Sequence, residues 1–123
     1  MDKERIKILT RGGVYLAKLN PVKTPEIGKL RPVIVLTAQT LLENESPLVF
    51  VCPLSSRSYP QFSSLHIELS ARDNLHATSY ALTEHCRAIS TNRLIFPRLA
   101  QLIKTEIDLI LYRLQIMLGA QDF

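Results

Sequence analysis

Arg31-Pro32-Val33-Ile34-Val35-Leu36 sits between a proline-containing loop and a polar stretch. The apolar run is continuous, with no polar residue to face water, so it predicts a strand buried on both faces. Proline is tolerated at the opening of such a strand, where its missing N–H is harmless. Working outward, Leu48-Val49-Phe50-Val51-Cys52 predicts a second buried strand, ended by Pro53-Leu54-Ser55-Ser56. On the N-terminal side, Gly12-Gly13 breaks the chain ahead of Val14–Leu19, a short run of strand formers closed by Asn20-Pro21. Residues 20–30 hold two prolines and a glycine and predict a loop of some length. Residues 1–9 are expected to form a ragged, flexible arm or a short helix.

Leu65-His66-Ile67-Glu68-Leu69 alternates with period two, which puts Leu65, Ile67 and Leu69 on one face of a strand. Two more strands are expected near Ser79–Thr83 and Cys86–Ser90, and Thr91–Leu94 reads as a short helical turn. The period then changes. Ile107, Ile110, Leu111, Leu114, Met117 and Leu118 recur at three- and four-residue spacing and draw one apolar helical face. Thr105 is the expected N-cap and Gly119 the residue that ends the helix. About six short strands and one helix point to a mainly β chain, a small curled sheet or barrel with a helix packed on it.

The 123 residues fit one domain, and 46% hydrophobic residues suffice for one core. A formal net charge of +4, from 15 Lys and Arg against 11 Asp and Glu, suits a polyanionic partner without demanding one. The N-terminal segment is charged and lacks a long apolar stretch, which argues against a membrane span or signal peptide. Cys52 and Cys86 stand alone in apolar runs and read as buried small hydrophobes of a reducing cytoplasm. His66, His76 and His85 have no metal-ligand spacing, so neither a metal nor another cofactor is expected.

Several polar residues lie where strands meet loops. Arg31 offers a planar, permanently charged fork that matches phosphate oxygens. Ser55 and Ser56 follow an apolar strand, at its mouth, where a hydroxyl can bond a phosphate or a developing charge. Glu26 shares its loop with Lys23 and Lys29 and can accept a proton or contact a base. Glu84, His85 and Arg87 cluster between two strands and could form an acid–base and phosphate-binding group. Taken singly, each is an ordinary surface or turn residue. Taken together, they supply the parts for cleaving RNA through its own 2′-OH: a base for that proton, an acid for the 5′ oxygen and donors for the transition-state charge.

Arg11-Gly12-Gly13-Val14-Tyr15, Glu26-x-Gly28-x-x-Arg31-Pro32-Val33-Ile34-Val35-Leu36, Pro53-Leu54-Ser55-Ser56 and Glu84-His85-Cys86-Arg87-Ala88-Ile89, followed by the amphipathic helix, resemble the MazF/PemK toxin family in order and spacing. The resemblance runs from about residue 10 to about residue 118. It implies an SH3-like β-barrel acting as a homodimer, and a metal-independent endoribonuclease. Such an enzyme cuts single-stranded RNA, often mRNA, to leave 2′,3′-cyclic phosphate and 5′-OH ends. It also implies a cognate antitoxin, with DNA bound only through the toxin–antitoxin complex.

By position, the resemblance gives catalytic roles to Arg31, Ser55, Glu26 and Glu84. It gives RNA contacts to Ser56, Arg57, Lys29, His85 and Arg87, with Arg57–Gln61 as the loop beside the cleft. The chain departs from the pattern at several points. Gly13 replaces an acidic residue, Lys29-Leu30 replace small ones, and His85 stands where Gln is common. Leu82 occupies a position where some members carry an arginine proposed as the acid. These departures motivate an alternative: an SH3-like binding module that holds an antitoxin or nucleic acid and cuts nothing.

Overall fold

A computed structural model describes residues 8–120. Seven strands and two helices follow one another: β1 (Gly13–Lys18), β2 (Leu30–Val35), α1 (Gln39–Glu43), β3 (Leu48–Ser55), β4 (His66–Leu69), β5 (Ser79–Leu82), β6 (Arg87–Ser90), β7 (Leu94–Gln101) and α2 (Lys104–Met117). Short 3-10 turns occupy 60–62, 83–85 and 91–93. The strands form one antiparallel sheet in the order β4-β5-β3-β2-β1-β7, with β6 also paired to β3. β3 is the hub. Val33 faces Pro53 and Val35 faces Val51 across β2 and β3. On the other side of β3, its first half pairs with β6 and its last two residues pair with β5.

The central strands bury both faces, as their unbroken apolar runs require. Val14, Ile34, Cys52 and Leu54 enter one core cluster with Ile110 and Leu114 of α2. Tyr15, Val33, Val35 and Val51 enter a second with Leu42, Ile89 and Leu94. Alternation along each strand thus feeds two layers of packing from one sheet. Gly12 joins them: its N–H donates to Val35 O at 2.7 Å and its carbonyl accepts from Leu102 N at 2.9 Å. Its φ of +81° is the left-handed region, and a Cβ there would lie 2.5 Å from Ile107 Cδ1.

Several boundaries differ from the sequence reading. β2 begins at Leu30, so Pro32 lies inside the strand, opposite Leu16. β7 and α1 are additional elements. β7 carries Pro97 and pairs only with β1, the edge position where a residue without an N–H does least harm. The Pro is what hides this strand from pattern reading. α2 starts at Lys104, with Ile103 and not Thr105 at the N-cap. Ile103 has no polar side chain, so Glu106 accepts its N–H at 3.0 Å. At the other end Gly119 takes φ +76° as expected, but Met117 and Leu118 are exposed and only Ile110 and Leu114 of the apolar stripe are fully buried. Of the residues expected to form an N-terminal arm, 1–7 lie outside the described residues, while Leu9 is buried in the second cluster.

Glu106 does more than cap. Arg72 Nη1 and Nη2 donate to its two carboxylate oxygens at 2.5 and 2.8 Å, tying the β4–β5 connection to the start of α2. Arg72, together with the Ile103 N–H, holds the Glu106 carboxyl below its ordinary value of 4.5. A carboxylate with a depressed native pKa stabilises fully above its unfolded value and loses that contribution as pH falls through the native one. Glu106→Gln is therefore expected to cost about 1 kcal/mol at neutral pH. In thermal melts the gap between the two proteins should close as pH is lowered below 4.5. A gap unchanged by acid would mean that the ion pair is not its source.

Candidate active site

The β2–β3 register settles where the main candidates lie. Val33 faces Pro53, so two residues further along both strands Arg31 comes opposite Ser55. Both side chains line an open cleft of about 910 Å³, together with Ser56, Arg57, Tyr59 and His76. Arg31 is half-buried and its fork is aimed by main-chain acceptors: Nε donates to Gly28 O and Nη1 to Leu54 O, both at 3.2 Å. One acceptor belongs to the β1–β2 loop and the other to β3, so the guanidinium is fixed across the seam between them. Ser55 is 8% exposed. Its Oγ accepts the Arg57 N–H at 3.0 Å, which leaves its own proton for another acceptor. Arg57 stands over the Tyr59 ring, 5.8 Å from its centroid, and keeps a second positive charge at the mouth.

The loop that aims Arg31 is itself built tightly. Leu19 N donates to Lys29 O, and Lys29 N donates to Asn20 Oδ1 at 2.9 Å. A Cβ on Gly28 would meet Asn20 Oδ1 at 2.2 Å, so only glycine allows this closure. Lys29 takes φ +69° beside it and points from an exposed position.

Glu26 and Glu84 do not line the Arg31–Ser55 cleft. They meet each other in a neighbouring pocket of about 320 Å³, with Ile27, His85, Cys86 and Arg87. Glu26 is exposed and its Oε1 accepts the Lys23 N–H at 3.3 Å. Glu84 is committed to a partner that sequence reading did not foresee. His66, on β4, lies with Nε2 at 2.9 and 2.7 Å from its two oxygens. Arg87 Nη1 is buried in this region without a hydrogen-bond partner among the described residues. A third pocket lies beside both, sharing Tyr59 with the cleft and Ile27, Glu84 and His85 with the acidic pocket. The sequence candidates thus fall into two neighbouring groups, with Arg31, Ser55, Ser56 and Arg57 in one and Glu26, Glu84, His85 and Arg87 in the other.

His76 was missed as a functional candidate because it sits in a polar connection with no motif around it. Its only signal is being a histidine in a long irregular segment between strands. It supplies the cleft with an imidazole. Among the described residues no group of three His, Cys, Asp or Glu side chains is arranged to hold a metal ion. Among them also, no helix is long and apolar enough to cross a membrane.

A chain built this way belongs to the PemK-like, MazF-like toxin family of type II toxin–antitoxin systems, whose pattern matches residues 10–118. Endoribonuclease MazF of Staphylococcus saprophyticus is 34% identical over 88 residues, which cover 71% of this chain and 72% of the relative. In three dimensions the chain resembles MazF of Deinococcus radiodurans at a TM-score of 0.73 and 23% identity, covering 92% of this chain and 98% of that one. It also resembles the Mycobacterium tuberculosis toxin MazF-mt6 at 0.70 and 16%, covering 87% and 96%. A further likeness, at 0.69 and 23% over 92% and 97%, is to a MazE–MazF structure from Deinococcus radiodurans.

The two cysteines lie side by side beneath the acidic pocket, Cys52 in the core and Cys86 in the pocket's lining. Val51 pairs with Arg87, so the next positions, Cys52 and Cys86, face each other. The Cys86 thiol beside it and complete burial push the Cys52 thiol well above its ordinary value. Cys86 is half-buried and lines the acidic pocket. A soluble aromatic disulfide reagent is expected to titrate Cys86 in the native protein and Cys52 only after denaturant is added. Two thiols reacting together under native conditions would contradict the burial of Cys52.

Proposed function

We infer that the chain is an endoribonuclease toxin that cuts single-stranded RNA by attack of its own 2′-OH. The observation that carries this reading is the convergence of Arg31 and Ser55 on one open cleft, each held by the main chain of a neighbouring segment. Arg31 neutralises the scissile phosphate and stabilises the added charge of the phosphorane-like transition state. Ser55 donates its O–H to a non-bridging oxygen. Both donors are preorganised, so little reorganisation accompanies the reaction. His76 takes the 2′ proton from within the cleft, and Arg57 steers the polyanion to its mouth. Glu26 and Glu84, which the sequence suggested as bases, we assign to the nucleotides flanking the cut, with Lys29, His85 and Arg87 along the strand's path. As the 2′ oxygen bonds to phosphorus the P–O5′ bond breaks, and the departing 5′ oxygen takes a proton from solvent in the open cleft, so that the products are a 2′,3′-cyclic phosphate and a 5′-OH.

The toxin acts in the cytoplasm as one domain and as a homodimer, and an antitoxin holds it in check. Support for the dimer comes from apolar side chains left exposed on α2, among them Leu109, Tyr112 and Ile116. Support for the antitoxin comes from the family and from the related MazE–MazF structure. DNA is contacted only through the toxin–antitoxin complex, so a gel shift with this chain alone is expected to be negative.

Arg31→Ala and Ser55→Ala are each expected to lower the rate on an RNA panel by about 10²–10³ while the melting profile stays cooperative. Chelator should leave cleavage unchanged. Wild-type rates in either variant would refute the assignment and leave the binding-module alternative, which predicts no mapped RNA ends on expression. His76→Gln is expected to lower the rate by about 10²-fold while binding of an uncleavable RNA stays near the wild-type level. A wild-type rate in that variant would move the proton acceptor elsewhere.

A further inference from the structure

A pocket lies between the two groups of candidate residues. Pro25, Ile27, Leu82 and Phe62 give it an apolar lining around a volume of about 420 Å³, and Tyr59 is the wall it shares with the cleft. Glu84 stands on its rim as an acceptor whose direction is fixed. His66, which holds it, is 8% exposed. The His66 ring packs edge-on to Tyr59, with centroids 5.9 Å apart, and tilted to Phe62 at 6.0 Å. Its Nδ1 is buried and has no partner among the described residues, so Nε2 is the nitrogen that bonds, and it faces a carboxylate as an N–H. The imidazole lies between the two carboxylate oxygens, at 2.7 and 2.9 Å. Each oxygen keeps an outer lone pair that can accept one more N–H. The group can accept but not donate.

A planar body with an amino donor on its edge fits that description. Adenine, cytosine and guanine carry an exocyclic amino group. Uracil does not: its one N–H lies between two carbonyl oxygens that a carboxylate repels. We propose that this pocket is a base-reading subsite, taking the nucleobase beside the scissile phosphate and selecting an amino-bearing base over uracil through Glu84, with His66 as its positioning residue. The occupant is a base of the same RNA strand because the pocket adjoins the cleft, with Tyr59 lining both. Stacking on aromatic side chains tolerates any base, so Tyr59 and Phe62 supply affinity and Glu84 supplies the choice. The proposal rests on the ribonuclease reading for its substrate.

The test is end mapping after cleavage of a randomised RNA oligonucleotide pool. The wild type is expected to exclude uracil about tenfold at one position flanking the cut. In Glu84→Gln the amide oxygen takes the His66 N–H and the amide NH2 turns to the base. The exclusion should then vanish or reverse, whatever the total rate. Phe62→Ala, at an exposed side chain, should weaken binding of every sequence about tenfold and leave the ratio unchanged. No exclusion of uracil by the wild type at any flanking position, or an unchanged exclusion in Glu84→Gln, overturns the proposal. Should Glu84→Gln fail to melt cooperatively, the wild-type pattern and Phe62→Ala still decide. Should the wild type not cut at all, the ribonuclease reading fails first. The subsite is then tested alone, by fluorescence polarisation with uncleavable 2′-O-methyl oligonucleotides of one base each. Weaker binding of the uracil oligonucleotide supports it, and equal affinities overturn it.

Discussion

The register between β2 and β3 is the constraint on which the molecule depends. It is set by apolar residues that must be buried on both sides of the sheet, not by any residue of the site. Val33, Val35 and Val51 belong to one core cluster and Ile34, Cys52 and Leu54 to the other. A shift of one residue would exchange the two sets and leave neither core filled. The same register brings Arg31 level with Ser55 at the strand ends. Packing free energy, gathered over many buried side chains, therefore fixes the distance between two polar groups that make no direct bond to one another.

Much of this was legible in the chain. The central strands were readable because their apolar runs are long and uninterrupted, and α2 because its period changes. The ends of elements were not, since they depend on partners far away in sequence. Glu106 caps α2 from inside the helix in place of the expected Thr105, and β7 exists because β1 offers it an edge despite Pro97. Arg31 and Ser55 could be singled out because each stands where an apolar run meets a loop. His66 could not be linked to Glu84 by any pattern, because the pair depends on β4 lying beside β5. His76 had no periodicity or motif to mark it, and only the folding of its loop over the cleft gives it a place.

The two carboxylates stand apart from the cleft: arginines and hydroxyls line the cleft, while Glu26 and Glu84 line the neighbouring pocket together with Arg87. On the ribonuclease reading, carboxylates kept out of the cleft avoid opposing a bound phosphate. His66 makes the arrangement tolerable by holding Glu84 with a charge-assisted bond in a partly buried setting.

Arg31 is anchored by the carbonyls of Gly28 and Leu54. Both acceptors and the arginine itself lie within the β2–β3 hairpin and the loop that precedes it. The aim of the guanidinium is therefore a local property of residues 28–54, set by neighbours close in sequence rather than by the later strands or by α2.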